Sequence, residues 1–270
     1  MQEIKQLGSV PWTRDEIRAA IPQFLELIAQ KPIQDNQGGM RSPHLFATWF
    51  MLKKLNPTTV IESGVWKGLG TWLIEQTLPN AEIFSIDVNL QFREYKSENA
   101  RYFDKDFSKL DWSMVKDKEN TVLFFDDHQS AFDRIEQGKA LGFKQFIFED
   151  NYPAQYGDCY SLKKAFQHAG FKPGINPGSF LYTLKQMVLL AGKKRTKPNA
   201  TDARYLKDVL DVYYEFPPVF KNDVTRWGDA WDETNHPTPE PLYKELEHEY
   251  LRIFREEATQ YTWICLATLK

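Results

Sequence analysis

Short apolar runs alternate with longer amphipathic or polar segments between residues 59 and 149. Apolar runs bounded by turn residues favour buried strands, and the segments between them favour helices. Strands alternating with helices predict a parallel, doubly wound sheet with right-handed crossovers. The strands are predicted at Thr59–Glu62, Glu82–Asp87, Arg101–Phe103, Thr121–Asp126 and Lys144–Glu149, with helical segments at Leu69–Thr77, Leu90–Asn99 and Ser130–Ala140.

Helical patterns precede this alternating region, and a looser pattern follows it. Thr13 and Glu16 form a capping-box pattern before a first helix that Pro22 is expected to kink or divide. The Ser42-Pro43 pair suits the cap and first turn of a second helix that ends near residue 56. Later helices are predicted at 161–169, 181–190, 201–214 and 239–259, before a final strand in YTWICLATL.

Composition narrows the class of protein without identifying an activity. With 42% hydrophobic and 26% charged residues among 270, the chain is typical of a soluble globular protein. A formal net charge of -3 and a pI of about 6.0 argue against general nucleic-acid binding. Cys159 and Cys265 form no secreted disulfide framework, and no signal peptide or membrane-spanning run is recognisable. A cytoplasmic protein without a membrane partner is therefore expected.

Acidic residues stand at the ends of four predicted strands. They are Glu62, Asp87, Asp126 and the pair Glu149-Asp150. Ligands of open α/β sheets bind at the carboxyl ends of the strands. The candidate site is therefore predicted at this edge of the sheet.

A glycine-rich loop, VIESGVWKGLGTW (Val60 to Trp72), follows the first of these strands. Glycines after a strand let the backbone approach a ligand, and the next helix offers free N–H groups to a negative group. The spacing G-x-x-x-G-x-G differs from the dinucleotide fingerprint, and Trp66 stands where a diphosphate would require a small residue. Diphosphate binding is therefore disfavoured.

This loop resembles motif I of class I S-adenosylmethionine-dependent methyltransferases, in the E-x-G-V-W-x-G form of the macrocin O-methyltransferase and cephalosporin-hydroxylase-like branch. The resemblance implies that Glu62, Gly64 and Gly68 line the pocket for the methionine part of the cofactor. Asp87, which ends IFSID, is placed to accept hydrogen bonds from the ribose hydroxyls. In FDKDFSKLDW, Asp106 rather than Asp104 is expected near the adenine.

Two further segments, LFFDDHQ and FIFEDNYP, are apolar strands that end abruptly in acids. Converging carboxylates repel one another unless a cation lies between them, and oxygen ligands favour Mg²⁺, Mn²⁺ or Ca²⁺. The resemblance implies that Asp126, Glu149 and Asp150 hold this ion. Asp127 in place of Asp126, and the pair Asp150 and Asn151 found in catechol-type enzymes, remain alternatives. His128 is the candidate general base.

The predicted fold class is α/β, a doubly wound, mostly parallel Rossmann-like sheet with N-terminal helices and a helical or loop insertion before the last strand. One domain spanning 1–270 is expected. Its parts are N-terminal helices at 1–57, a cofactor-binding core at 58–151, an insertion and acceptor-site lid at 152–259, and the final strand at 260–270. Aromatic residues of the insertion are expected either to stack on the acceptor or to pack in the core: Tyr213, Tyr214, Phe216 and Trp231.

The resulting hypothesis is an S-adenosylmethionine-dependent, divalent-metal-assisted O-methyltransferase. Its acceptor would be a hydroxylated small molecule, a sugar or a glycosylated natural product, and relatives of this kind are often oligomers. A non-catalytic binding protein on the same fold is the alternative, although it gives no reason for the acids to converge. An oxygenase of the cephalosporin-hydroxylase-like type is disfavoured, because no histidine is followed two positions later by an acid.

Overall fold

The structure is a computed structural model that describes residues 6–154, 156–170, 199–221, 223–224, 230–234, 236–257 and 263–270. The helix predicted at 181–190 and the basic cluster Lys193, Lys194 and Arg195 lie outside these residues. Among the helices of the described ranges, none has the length and apolar character required to cross a bilayer.

The described residues form one eight-stranded sheet in the order β1-β7-β8-β6-β5-β2-β3-β4. The five strands from β6 to β4 are parallel, whereas β8 runs antiparallel to β6 and β7, and β1 antiparallel to β7. The predicted doubly wound, mostly parallel α/β sheet is thus confirmed. The strands are β1 Gln6–Leu7, β2 Thr59–Ser63, β3 Glu82–Ile86, β4 Ala100–Phe103, β5 Thr121–Phe125, β6 Gln145–Phe148, β7 Leu210–Glu215 and β8 Cys265–Leu269.

Helices cover both faces of this sheet, which explains why its central strands are buried throughout. Along β2, Val60 packs in one hydrophobic core, whereas the next residue, Ile61, packs in the other. Strands buried on both faces read as continuous apolar runs rather than as alternating ones. The α-helices are α1 Arg14–Ile28, α2 Ser42–Leu55, α3 Leu69–Thr77, α4 Ala131–Leu141, α5 Leu162–Phe166, α6 Ala200–Val209 and α7 Arg252–Glu257.

The helix starts follow the sequence signals closely. Thr13 and Glu16 form the predicted capping box, and α1 continues through Pro22 as one helix. Ser42 is the first residue of α2 instead of its cap, and its amide donates to a carboxylate oxygen of Glu257 at 2.6 Å. A side chain distant in sequence thus satisfies a helix N-terminus that lacks a local cap.

Three predicted helices differ from the structure. The segment predicted as helix over 90–99 contains only the 3-10 turn Leu90–Phe92. For the helix predicted over 239–259, the described residues 239–257 are helical only from residue 249 to 257. The helix predicted over 201–214 ends at Val209, and the chain continues as β7, which pairs with β8. The region 152–259 therefore contributes a strand to the sheet, which was not predicted. Pairing with a partner distant in sequence overrode the local helical pattern.

The topology reverses between β2 and β5. The chain leaves β2 toward β3 and β4 on one side, then returns to form β5 and β6 on the other. Ser63 and Phe125 are paired at the ends of these two strands. In open α/β sheets, ligands usually bind in the crevice at the point where the strand order reverses. The predicted glycine loop and the first acid pair, Asp126 and Asp127, lie directly beyond the ends of β2 and β5.

Candidate active site

The two glycines predicted to approach a ligand also approach the chain itself. Gly64 has φ +104, and a Cβ atom there would lie 2.0 Å from the carbonyl oxygen of Asp126. Gly68 has φ +94, and its Cβ would lie 2.4 Å from the carbonyl oxygen of Tyr95. Only glycine fits both positions without a backbone shift. The loop geometry therefore accounts for these glycines, and their contact with a cofactor stays a prediction.

Glu62 is fully buried at the end of β2, beneath the loop. Its Oε2 accepts hydrogen bonds from the hydroxyls of Thr71 and Ser85, whereas its Oε1 has no hydrogen-bond partner. Burial raises the pKa of Glu62 to about 7, against the lowering effect of both hydroxyls. A Cβ atom at Gly70 would lie 2.4 Å from Oε1, so any residue other than glycine would clash with this oxygen.

The unusual pKa of Glu62 predicts a pH-dependent stability. The folded protein keeps this proton up to about pH 7, whereas the unfolded chain releases it near the ordinary glutamate pKa of 4.5. Stability should therefore fall as pH rises through this interval, by about 3 kcal/mol from this group. Urea unfolding at about pH 5 and about pH 8 should show this loss in wild type and not in Glu62→Gln. An identical pH slope in both proteins would contradict the assignment.

Asp87 orders the glycine loop. Its Oδ2 accepts hydrogen bonds from the amides of Val65 and Trp66 at 3.0 and 3.1 Å, and its Oδ1 accepts one from the amide of Asn89 at 2.8 Å. The loop amides expected to meet a cofactor group thus contact this carboxylate. Two-point binding of a ribose by Asp87 requires some of these bonds to be exchanged, because a carboxylate offers about four acceptor positions.

A cleft of about 210 Å³ opens beside the loop. A second cavity of about 330 Å³ shares Asp106 and Gln129 with it. Ligand sites of small-molecule enzymes occupy roughly 300–1,000 Å³, so the two cavities together have an appropriate size. The cleft brings together most of the predicted site residues, namely Gly64, Asp87, Asp106, Asp126 and His128, whereas Gly38 and Gly39, which also line it, were not predicted.

Asp126, His128 and Asp150 form a compact group at the end of the cleft, with one ligand atom of each within 4.8 Å of the others. Burial, followed by the charge of Asp150, raises the pKa of Asp126 well above its usual value. Asp150 is 6% exposed, and its carboxylate oxygens accept no hydrogen bond, although Oδ2 forms an ion pair with His128. Such buried, converging acceptor oxygens are an appropriate environment for a cation.

His128 adopts a left-handed backbone conformation, φ +53, that turns its ring toward these acids. Its Nδ1 lies 3.1 Å from Asp150 Oδ2 and 3.1 Å from Asp158 Oδ1. The negative charge of Asp150 is the main reason that the pKa of His128 is raised to about 11. Half of the side chain is exposed, so solvent screens part of this attraction. Without a cation in the group, His128 is therefore a proton donor at neutral pH.

Arg134 separates the roles of the two adjacent aspartates. Its Nε and Nη2 donate to Asp127 Oδ2 at 3.0 and 2.7 Å, and its Nη2 donates to Asp106 Oδ2 at 2.6 Å. Asp127 also accepts from the hydroxyl of Ser63 at 2.7 Å. Because Asp127 is engaged in these bonds, Asp126 is the better candidate ligand of the two.

The two carboxylates that share Arg134 differ in their pKa shifts. Burial alone would raise the pKa of Asp106, but Arg134 and Ser108 hold it well below its usual range. The pKa of Asp127 is raised, because burial outweighs the same guanidinium there. The adenine contact predicted for Asp106 would therefore involve an ionised carboxylate whose oxygens already accept from Arg134 and Ser108.

Two candidate ligands lie outside the compact group. Glu149 is fully buried, and its Oε1 lies 2.6 Å from the Nδ1 of His44 on α2. Asn151 donates to the hydroxyl of Tyr213 at 2.9 Å and accepts from the amide of Lys163 at 3.0 Å. Metal ligation by Glu149 stays a prediction, and the structure gives Asn151 a structural role in holding the loop after β6.

Most of the aromatic residues considered for the acceptor site belong to the core. Tyr213, Tyr214 and Phe216 are 0%, 9% and 2% exposed and pack in the hydrophobic clusters of the sheet. Trp231 instead stacks on Trp263, with ring centroids 5.5 Å apart, in a smaller cluster that includes Tyr152 and Cys159. Cys159 directly follows Asp158, whose Oδ1 lies 3.1 Å from His128 Nδ1. This aromatic cluster therefore lies next to the compact group of Asp126, His128 and Asp150.

No protein-family model and no curated protein matches the chain. Among solved structures, the chain is similar to CmcI in its Mg-SAM form, with 22% identity and a TM-score of 0.34 over 44% of this chain and 57% of that chain. It thus spans a little over half the length of that structure. An SAH-bound methyltransferase from Podospora anserina is 9% identical, with a TM-score of 0.47 over 98% of this chain and 100% of that chain.

The plantazolicin methyltransferase BpumL is 11% identical, with a TM-score of 0.41 over 96% of this chain and 99% of that chain. The solved structures similar to this chain thus include methyltransferases bound to S-adenosylhomocysteine and CmcI bound to S-adenosylmethionine.

Proposed function

We propose that this protein is an S-adenosylmethionine-dependent O-methyltransferase that acts on a hydroxyl group of a small molecule with the help of a divalent cation. One observation carries the proposal. The group formed by Asp126, His128 and Asp150 lies at the end of a cleft whose other wall is the glycine loop. This arrangement supports a cation site beside a cleft suited to a cofactor.

The residues present fit a hard divalent cation. Asp126 is partly buried and Asp150 is buried. The oxygens of Asp150 accept no hydrogen bond, and the charged contact of its Oδ2 is with His128 Nδ1 at 3.1 Å. Oxygen ligands of this kind suit Mg²⁺ or Mn²⁺. A cation bound there would polarise an acceptor hydroxyl and lower its pKa.

The residues near the glycine loop also fit the cofactor. The buried Oε1 of Glu62 has no partner and suits an ammonium group, and Gly64 and Asp87 line the cleft. Trp66, with φ +48, and His128 both have a left-handed backbone on this cleft. Such conformations are costly in non-glycine residues and cluster at functional sites. S-adenosylmethionine would supply the electrophilic methyl group when bound.

His128 is the candidate for removing the proton of the acceptor hydroxyl. Asp150 and Asp158 both contact its Nδ1, which fixes the ring and leaves Nε2 as the atom available for the acceptor. The raised pKa of His128 describes the protein with two uncompensated acids nearby. Positive charge at Asp126 and Asp150 would oppose that protonation and make the ring a base at neutral pH.

The acceptor is proposed to be a sugar or a glycosylated natural product. Supporting this, Trp231 and Tyr156 belong to the aromatic cluster next to the acidic group, and both are only partly buried. Flat aromatic faces combined with a few polar groups suit the binding of rings that carry hydroxyls.

Calorimetric titration with S-adenosylhomocysteine tests the proposal. Wild type is expected to bind it saturably, with and without Mg²⁺, and Asp87→Ala is expected to lose binding because the glycine loop is no longer ordered. Asp104→Ala, the removal of an exposed aspartate nearby, is the control and should bind like wild type. Absence of binding to wild type at about millimolar ligand would refute the proposal and favour a non-catalytic protein.

A further inference from the structure

A short segment before α2 lies against the cleft. It comprises residues 35–39 and is here named the strap. Trp66 Nε1 donates to the carbonyl oxygen of Gln37 at 3.1 Å, and Lys67 Nζ donates to that of Asp35 at 2.8 Å. Gly38 and Gly39 of the strap line the cleft. The glycine loop thus holds a segment from the N-terminal part of the chain over the proposed cofactor site.

Asn36 is the buried residue of the strap, at 6% exposure. Its Nδ2 donates to the carbonyl oxygen of Met40 at 3.1 Å, whereas its Oδ1 has no hydrogen-bond partner. A Cβ atom at Gly39 would lie 2.6 Å from Asn36 Nδ2 and 3.1 Å from Oδ1. The amide therefore lies directly behind a cleft-lining residue that has no side chain to cover it.

Glu62 Oε1 is the second buried oxygen without a partner in this region. It and the side chain of Met40 approach the same point, because the Cβ position of Gly70 is 2.4 Å from Oε1 and 3.5 Å from Met40 Cε. Asn36 contacts the backbone of the same methionine. The side chains of Asn36 and Glu62 thus both lie near Met40, and each has one buried oxygen without a hydrogen-bond partner. A buried acceptor without a donor costs free energy until a donor arrives.

We propose that Asn36 Oδ1 and Glu62 Oε1 jointly accept hydrogen bonds from the ammonium group of the cofactor's amino-acid end, which makes Asn36 a cofactor-binding residue. An ammonium has three donors and a positive charge, so it can satisfy both oxygens at once. This inference depends on the proposed function. It also explains why the strap is attached to the glycine loop: the two oxygens come from the two segments that enclose the ligand.

The test compares two ligands that differ in the amino-acid part. S-adenosylhomocysteine has the ammonium group, whereas 5′-methylthioadenosine has the nucleoside and thioether without it. Asn36→Ala is expected to weaken S-adenosylhomocysteine about tenfold or more in calorimetric titration and to leave 5′-methylthioadenosine unchanged. Asn36→Asp keeps an acceptor oxygen and should retain S-adenosylhomocysteine affinity within about threefold of wild type. Gln34→Ala, at an exposed neighbouring residue, is the control.

The outcomes are separable. Equal weakening of both ligands in Asn36→Ala, with a lowered melting temperature, would show that Asn36 only supports the strap and would overturn the inference. Unchanged affinity for S-adenosylhomocysteine in Asn36→Ala would overturn it as well. If wild type itself does not bind S-adenosylhomocysteine, the proposed function fails first and the inference fails with it.

Discussion

Replacing Asp126 with asparagine is expected to remove cation binding and to stabilise the cation-free protein. In wild type, the partly buried Asp126 lies close to the buried Asp150, and their mutual repulsion contributes to the raised pKa of Asp126. Neutralising one of them relieves this repulsion and removes one ligand. Mn²⁺ at about one hundred times its dissociation constant should stabilise wild type by about 3 kcal/mol and Asp126→Asn by almost nothing.

Thermal unfolding with and without Mn²⁺ measures this effect, and methyl transfer should fall about a thousandfold in the same variant. Asp104→Asn, at an exposed aspartate, is the matched control and should respond to Mn²⁺ like wild type. Glu149→Gln separates the two ligand sets, because Glu149 pairs with His44 instead of joining the compact group. An Asp126→Asn protein that keeps the full Mn²⁺ response would contradict the site.

Replacing Arg134 with methionine is expected to destabilise the fold by about 3–5 kcal/mol, because two acids would lose the cation that compensates them. Arg134 is 3% exposed and contacts Asp106 and Asp127 at 2.6 and 2.7 Å. Methionine keeps much of the packing against Phe107 and Phe125, whose ring centroids lie 5.7 and 5.3 Å from the guanidinium carbon. Urea unfolding near neutral pH is the measurement.

Arg101→Met is the matched control for this change. Arg101 pairs with Glu82 at 3.0 Å, but its side chain is 60% exposed, so the loss should stay below about 1 kcal/mol. The lowered pKa of Asp106 adds a pH signature. Its stabilisation is present above the unfolded pKa and is lost as pH falls, so the difference between wild type and Arg134→Met should shrink in acid. Equal losses for Arg134→Met and Arg101→Met would contradict the buried network.

The parts of the fold that local patterns encode could be predicted from the sequence. The capping box at Thr13 was recognisable because its two partners are three residues apart. The acids beyond Phe125 and Phe148 were recognisable because an apolar run ended abruptly in polar residues. Since parallel strands end at one edge of the sheet, their convergence followed from the predicted topology. Strand β7 was missed because its partner, β8, lies about fifty residues further along the chain.

The parts of the site that depend on long-range contacts left no local signal. Arg134 reads as an ordinary polar residue of a helix, and only the folded chain places it beside Asp106, 28 positions earlier. His44 and Glu149 are separated by 105 positions. Asn36 lies in a segment that reads as a loop, and its buried amide is apparent only when Gly39 and Met40 are seen around it. Such contacts are properties of the packed structure and not of sequence periodicity.

A crystal structure of the protein with S-adenosylhomocysteine and Mn²⁺ tests the central claim most directly. The proposal predicts the amino-acid end of the ligand at Glu62 and Gly64, the ribose near Asp87, and anomalous density for Mn²⁺ between Asp126 and Asp150. Ligand bound outside this cleft, or Mn²⁺ bound away from both aspartates, would contradict the proposed metal-assisted methyltransferase.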